Sequence, residues 1–132
     1  LDKLKKIAAC LLLATSFLFG CDIKWQNSIA TAKRLSQAER KPIMVFVTSP
    51  TCPYCTIMSE ATLKDEEVCE LINSKFVPLV AIDGSKDVPK NSKVLGVPTI
   101  LFVDSKESEL SQKIIGLRSK DDFIKELKLR NF

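Results

Sequence analysis

Two cysteines separated by two residues, Cys52-Pro53-Tyr54-Cys55, follow a continuous apolar run, Ile43 to Thr48, after only Ser49-Pro50-Thr51. A run without polar alternation suits a strand buried on both faces, in the middle of a sheet covered by helices. Pro53 suits the first turn of a helix, where its missing N–H costs nothing. The chain therefore has to fold so that a dithiol sits where a central strand hands over to a helix. Two sulfurs at this spacing can bond without dragging the backbone. Unpaired N–H groups at a helix start favour a thiolate, which makes Cys52 the candidate nucleophile. Cys55, one turn further in, is shielded and reads as the resolving thiol. Tyr54 lies beside the pair, either to touch a partner or as an ordinary half-exposed aromatic.

Composition narrows the chemistry. The 132 residues contain no His, which removes Ser-His-Asp and Cys-His hydrolysis, imidazole metal sites and haem attachment through Cys-x-x-Cys-His. Zinc or an iron–sulfur cluster would want four ligands, and the only other thiol beyond Cys21 in the second part of the chain is Cys69. No metal and no cofactor beyond the cysteines themselves is expected. A static disulfide in a binding module remains the alternative. The net charge is +4, of which Lys3, Lys5 and Lys6 against Asp2 supply half. What is left is too little to argue for nucleic acid as a partner.

Residues 1–20 read as an export signal: a basic start, thirteen mostly apolar residues from Ile7 to Phe19, and Gly20 as a small residue at a cleavage point. Thirteen is short for a membrane span, which needs roughly 20 apolar residues. Leu18-Phe19-Gly20-Cys21 resembles a bacterial lipobox, which implies cleavage before Cys21 and a thioether-linked lipid on it, with residues 21–24 as a short membrane tether. Asp22 resembles an inner-membrane retention signal. The expected location is the periplasmic side of a bacterial membrane, lipid-anchored, with a soluble periplasmic form as the alternative. Disulfides persist in such a compartment.

Beyond the tether, residues 25–132 read as one domain. Trp25, Ile29, Ala32 and Leu35 recur at helical spacing. Helical pieces are expected from Cys52 to Leu63 and from Lys64 to Ser74, strands over Phe76 to Ile82 and Thr99 to Val103, and a short helix or loop from Asp87 to Leu95. Leu110 to Ile115 is expected to form an antiparallel hairpin with the strand before it. Ser119 caps a final amphipathic helix in which Phe123, Ile124 and Leu127 face inward. The order is that of an α/β fold with a mixed sheet. Cys69, on a helix with Val68, Leu71 and Ile72, reads as a small buried hydrophobe.

The strand I-M-V-F-V-T, then C-P-Y-C, then Val97-Pro98-Thr99 opening T-I-L-F-V, then Gly116 before the last helix, resemble the thioredoxin superfamily over nearly all of Trp25 to Leu129. The leading helix, the Lys-Pro before the central strand and D-E-E-V-C-E-L-I-N-S-K-F-V-P-L look like bacterial exported thioredoxin-like reductases. The resemblance implies a thioredoxin-like fold, a mixed central sheet flanked by helices. It also implies thiol:disulfide exchange with protein substrates, working as a reductant, and an upstream redox donor or acceptor protein. An oxidase or isomerase of the same fold is the second reading. The resemblance makes Pro98 a cis proline packed against the dithiol and gives the backbone of Val97 to the substrate chain. Thr51, Pro53 and Tyr54 join them as candidate substrate-binding residues. It also marks three departures: the family's buried Asp falls on Phe46, its accompanying Lys on Leu79, and the Trp before the nucleophile on Thr51.

Overall fold

The structure, a computed structural model, describes residues 20–132; the expected export signal lies, but for Gly20, outside the described residues. From the sequence order come α1 (Ile29–Glu39), β1 (Ile43–Thr48), α2 (Pro53–Glu60), a 3-10 turn (Thr62–Lys64), α3 (Glu66–Lys75), β2 (Val77–Ile82), β3 (Thr99–Val103), β4 (Ile114–Ile115) and α4 (Lys120–Lys128). The sheet order is β2-β1-β3-β4. β1 runs parallel to β2 and antiparallel to β3, and β4 is antiparallel to β3. This is the mixed α/β sheet that the sequence implies, with the unbroken apolar strand at an interior position.

Both faces of β1 are covered, which explains its lack of alternation. Met44 and Phe46 point into a core with Met58, Ile72, Phe102 and Phe123, between the sheet and helices α2, α3 and α4. Ile43, Val45 and Val47 face the other way, against Ala32 of α1, Leu79 and Leu101. The helices start where the sequence offers a capping oxygen: Ser28 Oγ accepts from Thr31 N–H, Asp65 Oδ1 from Val68 N–H and Ser119 Oγ from Asp122 N–H.

Several expectations are corrected. Trp25 is not on the first helix, because Ser28 caps that helix and Trp25 lies before the cap in an extended strap. The strap, residues 21–26, is packed on the domain. Gln26 N–H donates to Pro78 O and Val80 N–H to Gln26 O, a bridge on the free edge of β2. Ile23 and Trp25 pack on the core, and Trp25 sits 6.0 Å from Phe46 between ring centroids. Of the short helix or loop expected over residues 87–95 the structure has the loop, held by long-range contacts: Lys90 N–H donates to Glu107, and Asp87 Oδ1 accepts from Ile29 N–H at the start of α1. The expected strand from Leu110 shrinks to Ile114–Ile115, because the Arg130 guanidinium takes the Gln112 carbonyl at 2.8 Å and the Ser111 hydroxyl at 3.2 Å. The helix that opens at Cys52 stops at Glu60, and the 3-10 turn carries the chain to the Asp65 cap.

Candidate functional site

The dithiol sits at the end of β1. Cys52 is the N-cap of α2, with extended backbone, and Pro53 occupies the first helical turn. The Cys52 Sγ accepts the Cys55 backbone N–H at 3.1 Å, so a helix-start donor is aimed at this sulfur. Cys52 and Cys55 are joined as a disulfide with Cα atoms 5.2 Å apart. The two sulfurs differ in access: Cys52 is half-buried, whereas Cys55 is 2% exposed. Thr51, Pro53 and Tyr54 are exposed around them, Tyr54 at 62%.

The loop before β3 closes the site from the side. The Val97–Pro98 peptide bond is cis. It brings the Val97 carbonyl within 3.7 Å of Cys52 Sγ, a distance at which the reduced thiol can donate. The loop is held from both sides. Thr99 Oγ1 donates to Gly96 O at 2.6 Å, and Gly116 N–H donates to Pro98 O at 2.8 Å. Gly116 has φ +89, a left-handed conformation that a side chain would strain. Thus Cys52, Cys55, Val97 and Pro98, far apart in sequence, meet in one place, with Thr51, Pro53 and Tyr54 on its rim.

Beneath the site the floor is apolar. Phe46 is buried where the resembling family carries Asp. Leu79, the position matched to the accompanying Lys, lies on the opposite sheet face from Phe46. Register pairs Phe46 with Val80, so Val80 is the neighbour of Phe46 across β1 and β2. The residue that could have carried a partner charge is therefore Val80, and it is apolar too.

Cys21 lies elsewhere. Its sulfur is bonded to Cys69, with Cα atoms 6.0 Å apart at a sequence separation of 48. The Cys21 sulfur, expected from the sequence to carry a thioether-linked lipid, is paired here with Cys69. Cys69 is buried as expected, but as half of a disulfide. Sequence reasoning missed the pair and also missed Asn73, whose amide reaches both sulfurs at 3.6 Å. The available signal was arithmetic: beyond residue 20 the cysteines number four, an even count.

The sheet order and the Cys-x-x-Cys disulfide at the start of α2 define a thioredoxin-fold protein of the thiol:disulfide oxidoreductase class. The chain belongs to the thioredoxin-like domain family, which matches residues 29–131. Among its relatives, the thiol:disulfide interchange protein DsbD of Campylobacter jejuni is 29% identical over 105 residues, 76% of this chain but 18% of that protein. Human anterior gradient protein 3 is 28% identical over 86 residues, 65% of this chain and 52% of that protein. The chain thus spans a minor part of the first of these and about half of the second. A solution structure of a thioredoxin from Thermus thermophilus superposes with TM-score 0.70 at 28% identity, covering 81% of this chain and 85% of that one. The C-terminal domain of Neisseria meningitidis DsbD shares the fold, at TM-score 0.62 and 20% identity over 77% and 91% of the two chains.

Proposed function

We propose that this chain exchanges its Cys52–Cys55 disulfide and dithiol with protein thiols and disulfides outside the bacterial cytoplasmic membrane, and that it works as a reductant. The observation that carries the exchange is the asymmetry of the pair. Cys52 is half-exposed at a helix N-cap with a backbone N–H aimed at its sulfur, and Cys55 is buried one turn behind it. In the reducing direction the Cys52 thiolate attacks a substrate sulfur, and the far substrate sulfur leaves with the electron pair and takes up a proton. The Cys55 thiol, giving up its proton, then attacks Cys52 Sγ. This frees the second substrate thiol and leaves the Cys52–Cys55 bond. Two electrons pass from the dithiol to the substrate, and a partner dithiol must return them. No group beyond the cysteines takes part.

The reducing direction is supported by the resemblance to bacterial exported thioredoxin-like reductases. Among the described residues no cationic side chain is hydrogen-bonded to either sulfur, so none of these contacts marks the pair as a strong oxidant. Oxidase or isomerase work is the second reading, favoured if the chain is recovered oxidised from cells. Export is supported by the basic and apolar residues 1–20 and by the two disulfides, which suit an oxidising compartment.

The test is reduction of insulin by the full chain with dithiothreitol as donor. Cys52→Ser is expected to fall to the uncatalysed rate, and Cys55→Ser to accumulate mixed disulfides with protein substrates whose identities give partner and direction. Equal turnover by Cys52→Ser and the unaltered protein would make this a binding module with an inert disulfide. Trapping by Cys52→Ser instead of Cys55→Ser would reverse the two roles.

A further inference from the structure

We propose that Cys21–Cys69 is a second, structural disulfide: a staple that fastens the strap 21–26 across α3 and the edge of β2, stands apart from the catalytic exchange, and takes Cys21 out of the thiols open to acylation. The strap reaches this place by contacts other than the sulfurs. Its inward residues alternate with outward ones, Cys21, Ile23 and Trp25 being half-buried and Asp22 and Lys24 exposed, the pattern of an extended segment laid on a surface. Asn73 of α3 clamps the strap backbone on both sides of Ile23: its amide donates to Asp22 O at 2.8 Å, and its carbonyl oxygen accepts Lys24 N–H at 3.0 Å. The Gln26 bridge to β2 fixes the other end. With both ends registered, Cys21 is delivered over Cys69, one helical turn before Asn73.

The surroundings differ from those of the catalytic pair in the respects that govern exchange. Both pairs join a half-buried cysteine to a buried one, but the Cys69 N–H is committed to Asp65 O within the helix, whereas the Cys55 N–H is aimed at Cys52 Sγ. The side-chain amide of Asn73 lies over both sulfurs. Neither cysteine is a helix N-cap, and among the described residues the Asn73 amide, not a backbone N–H, is the donor to both sulfurs. The staple forms when an oxidising protein disulfide in the same compartment exchanges with the two thiols. That oxidising disulfide takes up the two electrons and two protons given up by the Cys21 and Cys69 thiols and becomes a dithiol, and the Cys21–Cys69 bond remains.

The test uses the full chain with its own first twenty residues, produced in a bacterium and alkylated with N-ethylmaleimide at harvest. Mapping of the unreduced digest is expected to return a Cys21–Cys69 bridged peptide with no alkylated Cys69. In native protein, increasing dithiothreitol is expected to open Cys52–Cys55 at a concentration at least tenfold below that needed for Cys21–Cys69. A diacylglyceryl mass on Cys21 with Cys69 alkylated would overturn the proposal, as would both bridges opening together. Cys69→Ala is expected to lower Tm by about 10 °C, as loss of a loop-closing disulfide does in a domain of this size, and to keep insulin reduction within twofold. An unchanged Tm counts against a staple. If the variant does not accumulate, the mapping and titration of the unaltered protein decide.

Discussion

Glu107 shows what a single residue does for the loop that carries the site. It is buried with a left-handed backbone, φ +66, and its carboxylate takes the Lys33 ammonium at 3.0 Å and the Lys90 N–H at 3.1 Å. One side chain thereby ties α1 and the loop leading to Val97 and Pro98 to the turn after β3. Burial by itself raises a carboxyl pKa, but the Lys90 N–H and the Lys33 charge outweigh it and hold Glu107 below the ordinary glutamate value. A folded-state pKa depressed in this way contributes stability that is fully present above the unfolded value of 4.5 and is lost as pH falls through the folded one. Glu107→Gln keeps an acceptor for Lys90 and loses the ionic part, so at pH 7 it is expected to cost about 1 kcal/mol, or about 5 °C in Tm. Thermal melts from pH 7 to pH 3 are expected to show the gap between the two proteins closing in acid. A gap constant over that range would mean that the charge contributes nothing.

At the scale of elements, the strap is the part of this fold that α1 through α4 do not require. It covers a sheet edge that would otherwise offer the free N–H and C=O groups of β2 to another chain. Trp25→Ala removes its main apolar contact, with Phe46, and is expected to cost about 2 kcal/mol, below the 3–5 of a fully buried aromatic because Trp25 is half-exposed. Hydrogen exchange should locate the damage. The Gln26 and Val80 amides are expected to lose protection well before those of β1, and a uniform loss would mean that the strap unfolds only with the whole domain. The strap was also where reading the sequence failed. β1, the dithiol and the cap at Ser119 depend on neighbours a few residues away, and local pattern exposes such features. Trp25 matched a helical spacing by coincidence, and the Ser28 cap cut it off. The Cys21 partner lies 48 residues along the chain, and only tertiary packing brings it into reach. Leu79 was placed one residue off, and in a strand a shift of one moves the side chain to the other face.

At the scale of the whole molecule, three exposed apolar side chains stand on the separate segments that carry the site. Tyr54 lies between the two cysteines and is 62% exposed; Leu95, two residues before Val97, is 77% exposed; Ile115 of β4, paired with Thr99 beside Pro98, is 51% exposed. None of these side chains is needed for the core, and each stands on a segment that also touches the reacting sulfur or the proline loop. A polypeptide substrate that extends from the dithiol past the Pro98 loop would meet Leu95 and Ile115, while a small disulfide needs only the sulfur. Leu95→Glu with Ile115→Glu is therefore expected to raise the KM for insulin about tenfold, since each lost apolar anchor costs about 1 kcal/mol or somewhat more. kcat is expected to stay within twofold, because neither residue holds Cys52 or Cys55. Reduction of hydroxyethyl disulfide by the same variant should match the unaltered protein. If both substrates slow alike, the substitutions have disturbed the loop around Pro98, and the two side chains have no part in binding protein chains. If neither slows, the substrate touches the site through the backbone of Val97 and the sulfur alone.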